Sequence, residues 1–376
     1  MTRRIREILT VASLGVVSAL LLGACGSATS DSGDLDQQEQ VAAEEAACHG
    51  APGNVRVMTR NLYLGADITP IVAAIAYPDP ANPYAVPIET GKALATVLGT
   101  NVPDRLGAVA DEIAVTLPHV VGLQEVTTYT IADPSGQLPA EINFLDILQG
   151  QLAARGLDYE VVSTTTGNFG ATLPACLSPD CSVLGYVTLQ DHDVLLVRSD
   201  VQVNAVLPPV TYQAAVPLGD GLPAITRGLV AANLTVGGKT FTAVNTHFEL
   251  GGATELAQLG QAQEFIARFG DAGPVIALGD FNAPAGSATA YSMLTGAGFK
   301  DRWTTNMFSR DGYTCCFDET ATTGDLYERI DLVFTKDLPV SRSFSWRVGS
   351  QPSDRIESGQ YPSDHAGVVS WIFFKK

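Results

Sequence analysis

Nine residues pair a reactive side chain with a place at the end of an apolar run or in the turn beside it. They are Asn61, Glu125, Arg227, His247, Asp280, Asn282, Asp331, Asp364 and His365. Carboxylate and carboxamide oxygens suit a hard divalent cation, which keeps several waters and needs few protein ligands. Histidine exchanges a proton near neutral pH, and a carboxylate behind it fixes its tautomer and stabilises its cation. Two of the chain's five histidines fall in this set. Taken singly, each residue has a bland reading: Glu125 a solvated strand end, Asp331 a surface turn acid, His247 a satisfied core histidine. Taken together they describe side chains that rigid strands converge on one rim.

The strands that would position them read plainly. Val275 to Leu278 is a short β-prone run bounded by Gly and Pro, after which Asp280 and Asn282 project from one face. That pair can hold a hard cation, position a water or hydrogen-bond a phosphate-bound group. Val55 to Asn61, Val120 to Glu125, His192 to Arg198, Arg227 to Leu234 and Thr240 to His247 read as further strands, with Gly237-Gly238 a hairpin turn. Arg329 to Phe334 begins with its acid, and Ser363 to Val369 leads into a C-terminal strand. Helices are expected over Pro103 to Leu117, Glu141 to Arg155, Glu255 to Phe269 and near Ser287 to Leu294. Asp67 to Gly99 reads as an irregular insertion with a short helix. Many strands with interspersed helices imply an α/β sandwich, two packed sheets flanked by helices, in one domain over 54–376.

The 376 residues are 46% hydrophobic and 16% charged, which suits a globular core rather than a disordered chain. The net charge of −18 disfavours tight non-specific attraction to nucleic acid or anionic membrane. Arg3, Arg4 and Arg6 precede an apolar run from Ile8 to Leu22, and Leu22-Gly23-Ala24-Cys25 matches a bacterial lipobox. The expectation is a lipoprotein signal peptide over 1–24, then a tether over 25–53 anchored to the membrane by lipid on Cys25. The protein would then be exported and face outside the cytoplasm. Oxidising conditions favour disulfides. Cys176 and Cys181 close a small loop; the adjacent Cys315 and Cys316 either bond to each other or tie one of their number back to Cys48.

The motifs Asn-Leu at 61–62, Gln-Glu-Val at 124–126, Asn-Thr-His at 245–247, Gly-Asp-Phe-Asn-Ala at 279–283, Arg-Ile-Asp at 329–331 and Ser-Asp-His at 363–365 carry a resemblance. In this order they resemble the motif set of the endonuclease/exonuclease/phosphatase superfamily, over essentially Asn54 to Phe374. The resemblance implies a four-layered α/β sandwich and a divalent metal, Mg²⁺ with Mn²⁺ or Ca²⁺ as alternatives, used in phosphoester hydrolysis. It implies Glu125 as principal metal ligand with Asn61 and Asp364 in support. His365 would be the general base or the charge partner of the phosphate, oriented by Asp331. It further implies His247 stabilising the transition state, Asp280 positioning the attacking water, Asn282 gripping a phosphate oxygen and Arg227 as a further phosphate contact. His192 and Asp193 begin a strand and are candidates for a supporting role. Where some nucleases of the group carry an acid two positions after the first asparagine, this chain has Tyr63. The substrate class stays open between a phospholipid or small organophosphate and nucleic acid, and no stable protein partner is expected. A non-catalytic surface lipoprotein using the same sandwich as a binding scaffold is the rival reading.

Overall fold

Two strand–helix–strand units set the frame, because a parallel strand pair needs a crossover and a helix supplies it. The computed structural model describes residues 53–133, 140–218, 224–303 and 311–375. The expected signal peptide, the lipid-bearing Cys25, the tether as far as residue 52 and Cys48 lie outside them. In chain order the described elements are β1 (Asn54–Asn61), α1 (Thr69–Ala76), α2 (Ala85–Gly99), α3 (Val102–Thr116), β2 (Val120–Gln124), β3 (Thr128–Ala132), β4 (Ala140–Asn143) and α4 (Phe144–Ala154). There follow β5 (Tyr159–Thr164), β6 (Gly170–Cys176), β7 (Leu184–Gln190), β8 (Val194–Arg198), β9 (Gln202–Thr211), β10 (Gly228–Val236) and β11 (Lys239–His247). The last are α5 (Glu255–Phe269), β12 (Val275–Asp280), α6 (Thr289–Gly296), β13 (Lys300–Asp301), β14 (Asp331–Lys336), β15 (Val340–Val348) and β16 (Gly367–Phe374).

One six-stranded sheet runs β15-β16-β1-β2-β8-β5 and a second runs β13-β14-β12-β11-β10-β9. Each has one parallel pair near its middle, β1 with β2 and β11 with β12, and is otherwise antiparallel. Val55, Val57, Leu195, Val230, Ile276 and Leu278 fill the space between the sheets. The apolar face of α3 (Leu106, Val109, Ile113) packs with α4 on the outside of the first sheet. Phe265 and Phe269 of α5, with Leu294 of α6, cover the outside of the second. The result is helix, sheet, sheet, helix: the sandwich expected from the strand pattern, four-layered as the resemblance implies.

Two expectations are corrected. Residues 67–99 hold two helices, α1 and α2, rather than an irregular insertion with one short helix. They pack with a third, four-stranded sheet, β4-β3-β7-β6, that the sequence pattern did not suggest. The helix expected from Glu141 begins instead at Phe144, because Ala140 to Asn143 pairs with β3. Asn143 then caps the helix, its side-chain oxygen accepting from Leu145 N and Asp146 N at 3.1 and 3.2 Å. The Cys176–Cys181 disulfide is present, and Cys315 bonds to Cys316. No helix among the described residues is long and apolar enough to cross a membrane.

The sheets are joined by side chains as well as by packing. Asn245 of β11 donates to Leu123 O at 2.7 Å and Val194 O at 3.0 Å, and accepts from Gln124 Nε2 at 2.5 Å. Gly122 makes room: a Cβ there would lie 2.6 Å from Asn245 Oδ1 and 3.1 Å from Leu278 Cβ. Gly122→Ala is expected to lower unfolding free energy by roughly 2–4 kcal/mol in urea titrations, through overpacking and the lost carboxamide bonds.

His119 is buried, and its Nδ1 accepts from Arg56 N at 3.0 Å. Burial, helped by Arg198, pulls its pKa down to about 4. Between the ordinary histidine value and pH 4 the unfolded chain binds a proton that the folded chain refuses. Stability is therefore lost as pH falls through this window. Against His119→Asn, the wild type is expected to lose on the order of 3 kcal/mol between pH 7 and pH 4, read as the difference of two denaturation curves.

Candidate active site

Parallel pairing brings the carboxyl ends of neighbouring strands side by side, and the candidate residues sit there. Asn61 ends β1 opposite Gln124, the last residue of β2, and Glu125 follows. In the other sheet His247 ends β11 opposite Asp280, which ends β12. Asp331 begins the antiparallel strand β14 and pairs with Asp280 from the other side. Asp364 and His365 immediately precede β16, the antiparallel neighbour of β1. Both sheets thus deliver their polar groups to one rim.

Asp280 is the hub. Its Oδ1 accepts from Asn282 N at 2.9 Å, and its Oδ2 accepts from Asn61 Nδ2 at 3.1 Å. Oδ2 also lies 3.5 Å from His247 Nε2 and 3.8 Å from His365 Nδ1. Asp280 thus makes an Asx-type turn, and the same turn aims Asn282 back at His247 (3.1 Å). Burial, then repulsion from Asp331, holds the Asp280 carboxyl above the usual carboxylate range. Glu125, Asn282 and Tyr63 occupy the left-handed region, with φ of 54°, 48° and 59°. Side chains with a Cβ rarely adopt it, and such outliers gather at functional sites.

The two imidazoles are driven to opposite charge states. His365 Nδ1 donates to Asp331 Oδ2 at 2.8 Å. Although burial opposes its charge, Asp331, Asp364 and Asp280 together raise its pKa well above the ordinary value. His247 is pushed well below that value by burial, then by Arg227 and His365. Arg227 Nη1 lies 3.2 Å from His247 Nδ1. Asn282 Nδ2, which donates to Phe248 O at 2.9 Å, lies 3.1 Å from Nε2, so a donor faces each ring nitrogen, which disfavours a second ring proton. One site thus holds a neutral imidazole beside an imidazolium.

Arg227 is not free. Its guanidinium lies 3.3 Å from Glu249 and 3.7 Å from Asp191, so it also orients His247. Asn168 donates to Asp191 and Asp193 at 3.2 and 3.0 Å, and burial raises the pKa of both carboxyls. This acidic backing to Arg227 was visible in sequence only as the strand start at Asp193. His192 turns elsewhere, its Nδ1 bonded to Thr165 O at 2.8 Å, and only its carbonyl supports the site, accepting from Val126 N.

At the other end of the rim, Glu125 Oε2 accepts from Leu64 N at 2.6 Å, and Asn61 Oδ1 accepts from Tyr63 N at 2.8 Å. Asp364 is raised by burial to about 6, and Glu125 is among the carboxylates that push it up. Sequence reasoning missed the two buried arginines that brace this side. Arg105 donates to Leu62 O and Pro362 O, each at 3.0 Å, clamping the Asn61 turn to the Asp364 turn. Arg60 joins the His365 carbonyl to Glu112. Only full burial marks these arginines as structural, and sequence does not report it. The loop bearing Cys315–Cys316 also belongs here. Thr314 Oγ1 accepts from Asp331 N, Phe317 N donates to Asp364 O, and Cys316 Sγ lies 3.7 Å from His365 Nε2.

Against known proteins, residues 97–365 match the model of the Endonuclease/Exonuclease/phosphatase family, so the chain belongs to that family. Among solved structures, an endonuclease/exonuclease/phosphatase family protein from Bacteroides thetaiotaomicron superposes with a TM-score of 0.51. It is 16% identical, with 86% of this chain and 96% of that one covered. A family protein from Leptotrichia buccalis gives a TM-score of 0.50 at 16% identity, covering 85% and 100%. At such identity these likenesses speak to the fold. No curated protein matches the sequence.

Asp331→Asn removes the carboxylate bonded to His365 and leaves Asp364 and Asp280 to hold its charge against burial. Imidazole NMR titration is expected to show the His365 cation lost at lower pH in the variant than in the wild type. The alkaline limb of any activity profile should move down with it.

Proposed function

We propose that this chain is a divalent-metal-dependent phosphoesterase in which water attacks phosphorus in line. The carrying observation is the Asp331–His365 pair, set beside Asp280, His247 and Asn282 on the rim that also bears Glu125 and Asp364. Glu125, Asp364 and Asn61 would hold the metal. Their donors are all oxygens, as Mg²⁺, Mn²⁺ and Ca²⁺ require, and the Glu125–Asp364 repulsion is what a cation relieves. A bound cation of this kind neutralises phosphate oxygen charge and eases attack on phosphorus.

The chain's own residues supply the rest. Asp280, its affinity for a proton raised by burial, orients the attacking water and accepts its proton. His365 presents an imidazolium N–H to a phosphate oxygen, with Asp331 holding its charge. His247 and Asn282 donate to the oxygens where negative charge grows, and Arg227 adds positive potential behind them. The acidic chain favours a small or lipid-borne phosphoester over a polyanion. Export and lipidation at Cys25 complete the proposal, supported by the basic, apolar and Cys-terminated leader. Cys25→Ser should then release the protein from the membrane fraction.

Turnover of a chromogenic phosphodiester by the full chain with Mg²⁺ is the test. EDTA should abolish it and Glu125→Ala should remove the metal-dependent turnover. His365→Ala should lower kcat by about 10²–10⁴-fold. No metal-dependent turnover of phosphodiester, phospholipid or plasmid DNA would leave the binding-scaffold reading.

A further inference from the structure

Two cysteines lie against the proposed chemistry without a part in it. With Nδ1 of His365 spent on Asp331, Nε2 is the atom left for a phosphate oxygen, and Cys316 Sγ lies 3.7 Å from it. Both sulfurs and a ring nitrogen of His365 fall within 4.8 Å of one another. Bonded to Cys315, the Cys316 sulfur carries neither proton nor charge and is at most a weak acceptor. It leaves the Nε2–H available.

The backbone beneath the pair is held independently of the sulfur bond. Cys315 N donates to Glu328 O at 3.0 Å, and Cys315 O accepts from Glu328 N at 3.1 Å. Thr314 O accepts from Ala366 N, and Thr314 Oγ1 accepts from Ile330 N and Asp331 N. On the other side Phe317 N donates to Asp364 O, and its ring stacks on Tyr361 with centroids 3.8 Å apart. Opening the bond should therefore leave the loop in place and change the sulfurs alone.

The two sulfurs differ in access, Cys315 being 5% exposed and Cys316 half-buried. A dithiol reductant thus reaches Cys316 first. Its thiolate bonds to Cys316 Sγ, and the S–S electron pair leaves on Cys315, which takes a proton. The reductant's second thiolate then closes a disulfide of its own and releases Cys316 as a thiolate. The cysteine pair has gained two electrons and the reductant has lost them. The freed sulfur faces Nε2 of an imidazole whose Nδ1 is backed by a carboxylate, the order of groups that favours a cysteine thiolate.

We propose that the Cys315–Cys316 disulfide is a reducible latch on His365: closed, it leaves Nε2 free for the phosphate, and opened, it sets the Cys316 thiolate against Nε2 and stops turnover. The proposal rests on the phosphoesterase reading and adds its regulation. An exported chain would be silent in a reducing cytoplasm and active where disulfides persist.

The full chain carrying Cys176→Ser and Cys181→Ser, assayed oxidised and after dithiothreitol, tests this, with iodoacetamide labelling and peptide mass spectrometry scoring the state of the pair. On reduction kcat for the chromogenic phosphodiester should fall by about 10²-fold, toward the level of His365→Ala, and return on reoxidation. Cys316 should label faster than Cys315. A Cys315→Ala/Cys316→Ala double variant should turn over the ester and ignore the reductant. Unchanged kcat with the pair shown open, a pair that dithiothreitol leaves closed, or an equal fall in the double variant overturns the latch and leaves the phosphoesterase reading standing. NMR signals of the His365 ring, assigned by their loss in His365→Ala, separate the two. They should move on reduction and stay fixed in the double variant. That movement without turnover of any ester in either state would sustain the sulfur switch at His365 and sink the hydrolase.

Discussion

A buried carboxamide ties the two halves of this molecule together where their polar groups emerge. Asn245 reaches from β11 of one sheet to the carbonyls of β2 and β8 in the other, and Gln124 returns the bond. All of these atoms are out of water, so each bond is worth most because the alternative is an unsatisfied group. Two residues along β11 stands His247, and one residue past Gln124 stands Glu125. The distance between the sheets at the rim, and so the separation of Glu125 from His247, is set at this tie.

Around it the protein concentrates charge that burial alone would reject. Asp280, Asp331 and His365 offer ligand atoms within 4.8 Å of one another, all nearly sealed from solvent. Two carboxylates facing each other across neighbouring strands repel, and the imidazolium between them offsets that repulsion. Arg60 and Arg105, each fully buried, do similar work on the backbone. They satisfy the carbonyls of turns that have left their sheets, so those turns keep one shape without a ladder.

What the sequence made legible follows from this economy. In the two large sheets β2, β12 and β14 are apolar runs and β1 and β11 alternate, each with a polar residue at or beside the end that reaches the rim, so these strands were readable along with what they carry. The Asp331–His365 pairing was implied by the family resemblance and suits the residue types, and the two lie 2.8 Å apart. The third sheet was not. Its strands are half-exposed, and β6 carries Gly170 and Pro174, residues that argue against a strand except at an edge, where β6 lies. Arg60 and Arg105 were equally hidden, because an arginine in a strand or helix reads as surface unless burial is known. The acidic backing of Arg227 is assembled from residues 168, 191 and 193, and only folding brings Asn168 to the other two.

The rung on which each polar group stands also limits how such a chain can change length. His247 faces Asp280, and Asp280 faces Asp331, on the terminal rungs of three adjoining strands. Deleting or inserting one residue within any of them would turn its terminal group to the opposite face of the sheet. The segments beyond those rungs bear no such rule. Indels are therefore confined by geometry to the segments that border the rim, which can change length without disturbing the register of the polar groups.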